Sequence, residues 1–200
     1  MTNSTLIILV FVAGSVLFIV FMMNIRHHRL QPYYDTMDKL SKKFPGKYSK
    51  AKLFFLGELS FIGHYSDYKF EVTFIGDGRT GFVFGLRVGC YFTSSSKLKI
   101  FMYNDDPGTV LFAKRIYVRG DDFDKYYIYS NMPEEAIHYL SDNSRRSNIQ
   151  EMSVNGWKLP AITGSRAVVY ALDKKPQPEL DTEKIETTLK NLMALRISHI

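Results

Sequence analysis

One cysteine, Cys90, stands in 200 residues. An internal disulfide, a four-cysteine zinc site and a C-x-x-C redox pair are therefore excluded. Its setting, "VGCYFT", is a strand-like apolar run and reads as a buried, inert thiol. Catalytic signatures are equally scarce: the chain holds no H-E-x-x-H, no G-x-S-x-G and no glycine-rich loop ending in G-K-[ST]. The histidines do not compensate. His27 and His28 border an apolar run, His199 is next to the last residue, and only His64 and His138 lie where a core is expected. No cofactor is expected from this inventory.

What is present begins with a membrane-like segment. "LIILVFVAGSVLFIVFMM", Leu6 to Met23, carries no charged side chain. About 20 apolar residues rising 1.5 Å each cross a hydrocarbon layer of about 30 Å, so this run is long enough to span one. "MTNST" offers no Lys or Arg for a signal-peptide n-region, and "VFMMNIRHH" has no small-x-small cleavage pattern, which favours an uncleaved anchor. The rest, with 46% apolar and 23% charged residues across the chain, has the composition of a folded domain with one core.

Orientation follows from the flanks, because Lys and Arg near a span stay on the cytoplasmic side. None precedes the run, whereas Arg26, Arg29, Lys39, Lys42, Lys43, Lys47, Lys50 and Lys52 follow it. The N-terminus is expected outside and the main domain in the cytoplasm. This divides the chain into an anchor (1–24), a basic juxtamembrane linker (25–51) and a cytoplasmic α+β domain (52–200). A truncation starting near Lys50 should then be soluble and keep every predicted strand. The basic stretch accounts for much of the net +6, leaving the domain close to balance. No nucleic-acid partner is expected, since that would need a basic stripe with aromatic platforms interleaved. The expected partners are the lipid bilayer, through residues 6–23, and a protein at the α+β domain.

Beyond Lys52 the pattern has period two with many aromatic and β-branched residues, the mark of strands. "LFFLGELSFIG" opens the series. "YKFEVTFI" puts Tyr68, Phe70, Val72 and Phe74 on one face and Lys69, Glu71 and Thr73 on the other. "FVFGLRVGCYF" repeats this with Phe82, Phe84, Leu86, Val88, Cys90 and Phe92 inward, and "KLKIFMY" with Leu98, Ile100 and Met102. "TVLFAKRIYVRG" and "KYYIYS" follow a turn at "NDDPG". Hairpin spacing predicts an antiparallel sheet.

Gly76-Asp77-Gly78-Arg79-Thr80-Gly81-Phe82-Val83 matches the G-x-G-x-x-G-x-V string that covers nucleotide phosphates in protein kinases. A dinucleotide fingerprint needs a helix after the glycines, and here a strand pattern follows. The kinase form needs a V-A-I-K lysine, H-R-D-x-x-x-x-N and D-F-G, none of which is present. Asp77-Gly78 is also a favoured centre for a tight hairpin turn, so the stretch reads as a turn between strands.

A second cluster, Asp121, Asp122 and Asp124 in "RGDDFDKYYIYSN", could gather a divalent metal through hard oxygen ligands. Asp122 and Asp124 would share a face of an extended strand. Gly120-Asp121 before them favours a solvated turn instead. Taken with Phe123-Asp124, the alternating Tyr127 and Tyr129, Ser130 and the Pro133-Glu134-Glu135-Ala136 helix start, this stretch resembles a pattern in uncharacterised single-pass membrane-anchored bacterial proteins. The resemblance implies an N-terminal span, a basic linker, a strand-rich cytoplasmic domain and a terminal helix. It brings no activity and no catalytic residue.

"NMPEEAIHYL" predicts a short helix with Asn131 as cap and Ala136, Ile137 and Leu140 inward. "SDNSRRSNIQEM" extends or restarts it, with Arg145 and Arg146 solvated. "VNGWKL" and "SRAVVYALD" predict two more strands, with Trp157 in the core or as a lid. The last helix has Ile185, Leu189 and Leu192 on an apolar face and a Glu186–Lys190 i,i+4 pair. The resulting expectation is a membrane-anchored binding or scaffold module, accessory to a membrane-associated complex. The alternative is a membrane-tethered enzyme using Asp121, Asp122 and Asp124 with a divalent metal.

Overall fold

The computed structural model describes residues 3–49, 59–77, 82–103, 107–119, 123, 126–171 and 181–197. Its first element is α1 (Asn3–Lys43), 41 residues long, which at 1.5 Å per residue reaches about 60 Å. From Ile7 to Met23 every side chain is exposed, and this is the one described helix long and apolar enough to cross a membrane.

The helix does not stop where the apolar run does. It continues to Lys43, within the segment expected as a basic juxtamembrane linker (25–51), and Leu30, Met37 and Leu40 are buried there, followed by Phe44 just past the helix end. The spacing 30, 33, 37, 40, 44 puts these residues and Tyr33 on one stripe of the helix. The stripe packs on the sheet: the Tyr33 ring meets Phe74 edge-on at 4.8 Å, and Phe44 meets Phe70 at 5.3 Å and Tyr65 at 5.7 Å. Burying Met37 and Leu40 completely stabilises the docking by about 1.5–3 kcal/mol each. Pro32 lies inside the helix and, lacking an N–H, removes one rung of the ladder, while the Thr36 hydroxyl donates to its carbonyl at 3.1 Å.

Among the described residues nine strands form one antiparallel sheet: β1 (Gly46–Ser49), β2 (Leu59–Tyr65), β3 (Tyr68–Asp77), β4 (Phe82–Tyr91), β5 (Lys99–Tyr103), β6 (Lys114–Ile116), β7 (Tyr127–Ser130), β8 (Lys158–Thr163) and β9 (Arg166–Ala171). Their spatial order is β1-β2-β3-β4-β9-β8-β5-β7-β6. At the α1–β1 junction a Cβ on Gly46 would lie 2.5 Å from the Ile62 carbonyl, so only glycine lets β1 approach β2 this closely. The helices α2 (Pro133–Leu140), α3 (Asn143–Val154) and α4 (Thr182–Ala194) complete an α+β fold.

The alternation read from "YKFEVTFI" is present, with Phe70, Val72 and Phe74 buried. In β4 it holds for Leu86, Val88 and Cys90 but not at the start, where Phe82 is 52% exposed and Val83 is buried. The register explains the change: Ile75 opposes Gly85 and Gly76 opposes Val83, so Phe84 is an extra residue, and a bulge of this kind reverses the faces beyond it. Asp77 pairs with Phe82, so the hairpin is joined through 78–81 rather than centred on Asp77-Gly78; those four residues lie outside the described ones.

Two details at α2 differ from expectation. Asn131 is not its cap: its side chain accepts from the Lys99 N–H at 2.7 Å and donates to the Lys97 carbonyl at 2.9 Å, tying the helix entrance to β5. The inward residues are Ala136, Tyr139 and Leu140, while Ile137 is exposed. The chain restarts at α3 behind Asp142, whose carboxylate accepts from the Arg145 N–H. Arg145 and Arg146 serve structure rather than solvent. Arg145 lies over the Tyr139 ring at 4.2 Å, and Arg146 donates to the Leu140 carbonyl at 2.9 Å.

Candidate binding face

All four helices contribute to one hydrophobic cluster, together with Phe61, Phe70, Val88, Val169, Ile100 and Ile128 from the sheet. Every helix therefore lies on the same side, and among the described residues no helix covers the other face. Cross-strand pairs define that open face: Glu71 opposes Gly89, Gly89 opposes Val168, Val168 opposes Ala161, Ala161 opposes Phe101 and Phe101 opposes Tyr129. Val168 and Tyr129 are buried yet stand outside the main cluster, as expected of residues shielded by neighbours on the second face. Tyr129 also donates to the Gly108 carbonyl at 3.4 Å, which places the chain near residue 108 over the β7 end.

A polar group on this face centres on Glu71. Tyr91 donates to one carboxylate oxygen at 2.7 Å and Thr73 to the other at 2.9 Å. Because the single Thr73 hydrogen is used there, Ser60, 3.1 Å away, donates to Thr73. Arg87 sits 3.5 Å from the carboxylate. Burial alone would raise the Glu71 pKa, but the bonds from Tyr91 and Thr73 and the charges of Arg87 and Arg166 prevail and hold it below the usual carboxylate value. Burial and the neighbouring Glu71 carboxylate push the Tyr91 phenol up. The ionised carboxylate and protonated phenol suit a fixed platform rather than a proton shuttle.

Aromatic rings and cations meet beside this centre and again at the far edge of the sheet. Lys69 lies 5.5 Å and Arg166 6.0 Å from the Tyr91 ring, and Arg115 lies 4.5 Å from Tyr127 and 5.1 Å from Tyr117. Sequence reasoning missed this arrangement, since the residues share a face only once the register is known.

The other expected site residues are dispersed. Asp121, Asp122 and Asp124 lie outside the described residues. His64 on β2 and His138 on α2 are both exposed, and among the described residues no group of three His, Cys, Asp or Glu could hold a metal. Arg29, Lys39 and Lys42 are exposed along α1, Arg26 is buried, and Lys43 pairs with Glu186 at 2.9 Å. Trp157 is buried at the edge of a cleft of about 270 Å³ that also touches Asp181 and Asn191, with Lys184 5.7 Å from its ring.

No family model and no curated protein matches the chain. The resemblance to membrane-anchored bacterial proteins therefore gains no family assignment. Among solved structures, the crystal structure of the mycobacterial trehalose monomycolate transport factor A, TtfA, is similar with a TM-score of 0.48 and 9% identity, covering 85% of this chain and 91% of that one. At that identity and score nothing passes from it to this chain.

Proposed function

We propose that this chain is a single-pass, membrane-anchored accessory module that works by binding a protein partner, with its N-terminus outside and its sheet domain in the cytoplasm. The exposed apolar run from Ile7 to Met23 would lie in the bilayer, and Arg26, Arg29, Lys39, Lys42 and Lys43 would hold the following segment inside. Residues 1–24 are then the anchor and the domain begins immediately after them, with 25–43 of the expected linker continuing α1 into it.

The observation that carries this reading is the continuity of α1 into the core. A flexible tether would let a domain sample many orientations, whereas a helix whose Leu30, Met37 and Leu40 are buried presents its sheet to neighbours in one orientation. That is the property of a scaffold.

A reporter fused after Ile200 should be active on the cytoplasmic side, and affinity purification from detergent extract should recover a stoichiometric membrane partner. A reporter active only outside would overturn the orientation. A chain recovered alone under gentle extraction would overturn the accessory role.

A further inference from the structure

The open sheet face carries more than shape, and the inference drawn from it rests on the binding-module reading above. Lys69, Arg87, Lys99, Arg115, Lys158 and Arg166 stand on it, paired across the strands with other residues of the same face. Glu71 is its one carboxylate among the described side chains. Among the described residues, Glu134, Glu135, Asp142, Glu151, Glu183 and Glu186 belong to the helical layer. Among the described side chains the sheet face is thus strongly basic, whereas the helices carry these acids together with Lys39, Lys42, Lys43, Arg145, Arg146, Lys184 and Lys190. Charge of one sign gathered on one surface selects a partner of the opposite sign.

Two further observations choose among acidic partners. Nucleic-acid bases need free ring faces to stack on, but the Tyr91 ring has Lys69 and Arg166 beside it and Tyr127 has Arg115. The direction of α1 argues against a lipid surface. Between its contacts with Phe74 and Phe70 the helix advances from Tyr33 to Phe44, about 16 Å at 1.5 Å per residue, while β3 covers about 13 Å between the same two phenylalanines. Helix and strand thus run side by side in opposite directions. If α1 enters from the bilayer, the open face stands along the membrane normal and looks sideways. Tyr91, Tyr127, Arg87, Arg115 and Arg166 on this face are also of types enriched at protein interfaces.

We propose that this face docks an acidic polypeptide segment of a protein lying beside the chain in the same membrane. The full chain in nanodiscs of neutral phosphatidylcholine is titrated with a short fluorescent poly-glutamate peptide, with oligo-dT and phosphatidylglycerol vesicles as competitors. The expected result is saturable, salt-sensitive binding, weakened about tenfold by Lys69→Glu, Lys99→Glu and Arg166→Glu together, and unchanged by Lys39→Glu, Lys42→Glu and Lys184→Glu together. If the first triple variant does not fold, Lys99→Glu alone, at an exposed side chain, should weaken binding about two- to threefold. Equal losses from both triple sets, no binding at low salt, or displacement of the peptide by oligo-dT or by the vesicles at matched charge would overturn the proposal. Each of these failures leaves the anchored-module reading intact as long as the chain still co-purifies with a membrane partner; failure of that co-purification is a separate result.

Discussion

The Lys43 ammonium meets the Glu186 carboxylate at 2.9 Å, joining the last turn of α1 to the C-terminal helix. Glu186 also accepts from the Tyr65 hydroxyl at 3.0 Å and pairs with Lys190 at 3.1 Å, so one carboxylate ties α1, β2 and α4 together. Lys43, with Lys190 and Tyr65, pulls the Glu186 pKa down to about 2. A carboxylate whose folded pKa is depressed contributes stability that is complete above its unfolded value, near 4.5, and is lost as pH falls towards 2. Glu186→Gln should therefore destabilise the protein at neutral pH and flatten the stability loss between about pH 4.5 and 2. Urea melts of both proteins across that range measure it, and parallel curves would remove the pair from the account.

Starting the chain near Lys50 removes β1 and, with it, Leu30, Met37, Leu40 and Phe44 from the core. Such a truncation is expected to aggregate or to melt at much lower temperature, whereas one beginning at Asn24 should remain folded. Size-exclusion profiles and thermal melts of the two fragments distinguish them.

Phe44→Ala deletes a ring packed edge-on against Phe70 and Tyr65 and should cost about 3–5 kcal/mol. Lys42→Ala, at an exposed position on the same helix, should change stability by less than about 0.5 kcal/mol. Denaturant titrations of the two variants give the contrast. Equal, small effects would mean that the end of α1 does not pack on the sheet.

Burial in β4 pushes the Cys90 thiol up to about 12. Only a thiolate reacts readily with a maleimide or a disulfide, so Cys90 should stay unlabelled in the native protein and react fully after denaturation. Rapid native labelling would contradict the packing of β4 against β3 and β9.

The sheet was largely legible in the chain because period-two alternation survives wherever pairing is regular, as in Tyr68, Phe70, Val72 and Phe74. It failed at Phe82, since a bulge reverses the faces and no local residue announces it. The docked half of α1 left a signal that its chemistry hid. The 30, 33, 37, 40, 44 spacing is helical, but Lys and Arg between those positions and Pro32 within them read as a solvated linker. Composition concealed the basic face in a different way. Lys69, Arg166 and Lys99 are far apart in sequence and come to one face through pairings between β3, β4, β9, β8 and β5. Averages over a domain carry no information about which side a charge is on.

The central claim is that the docked half of α1 is part of the folded domain and not a tether to it. Hydrogen exchange of the full chain in lipid nanodiscs, read residue by residue through 25–44, tests this most directly, because amides in packed structure open only with the unit they belong to while those of a solvated linker exchange almost freely. The amides from Leu30 to Phe44 should be protected to the same extent as those of β3 and β4. Exchange of that stretch within seconds, beside a protected β3, would contradict the account.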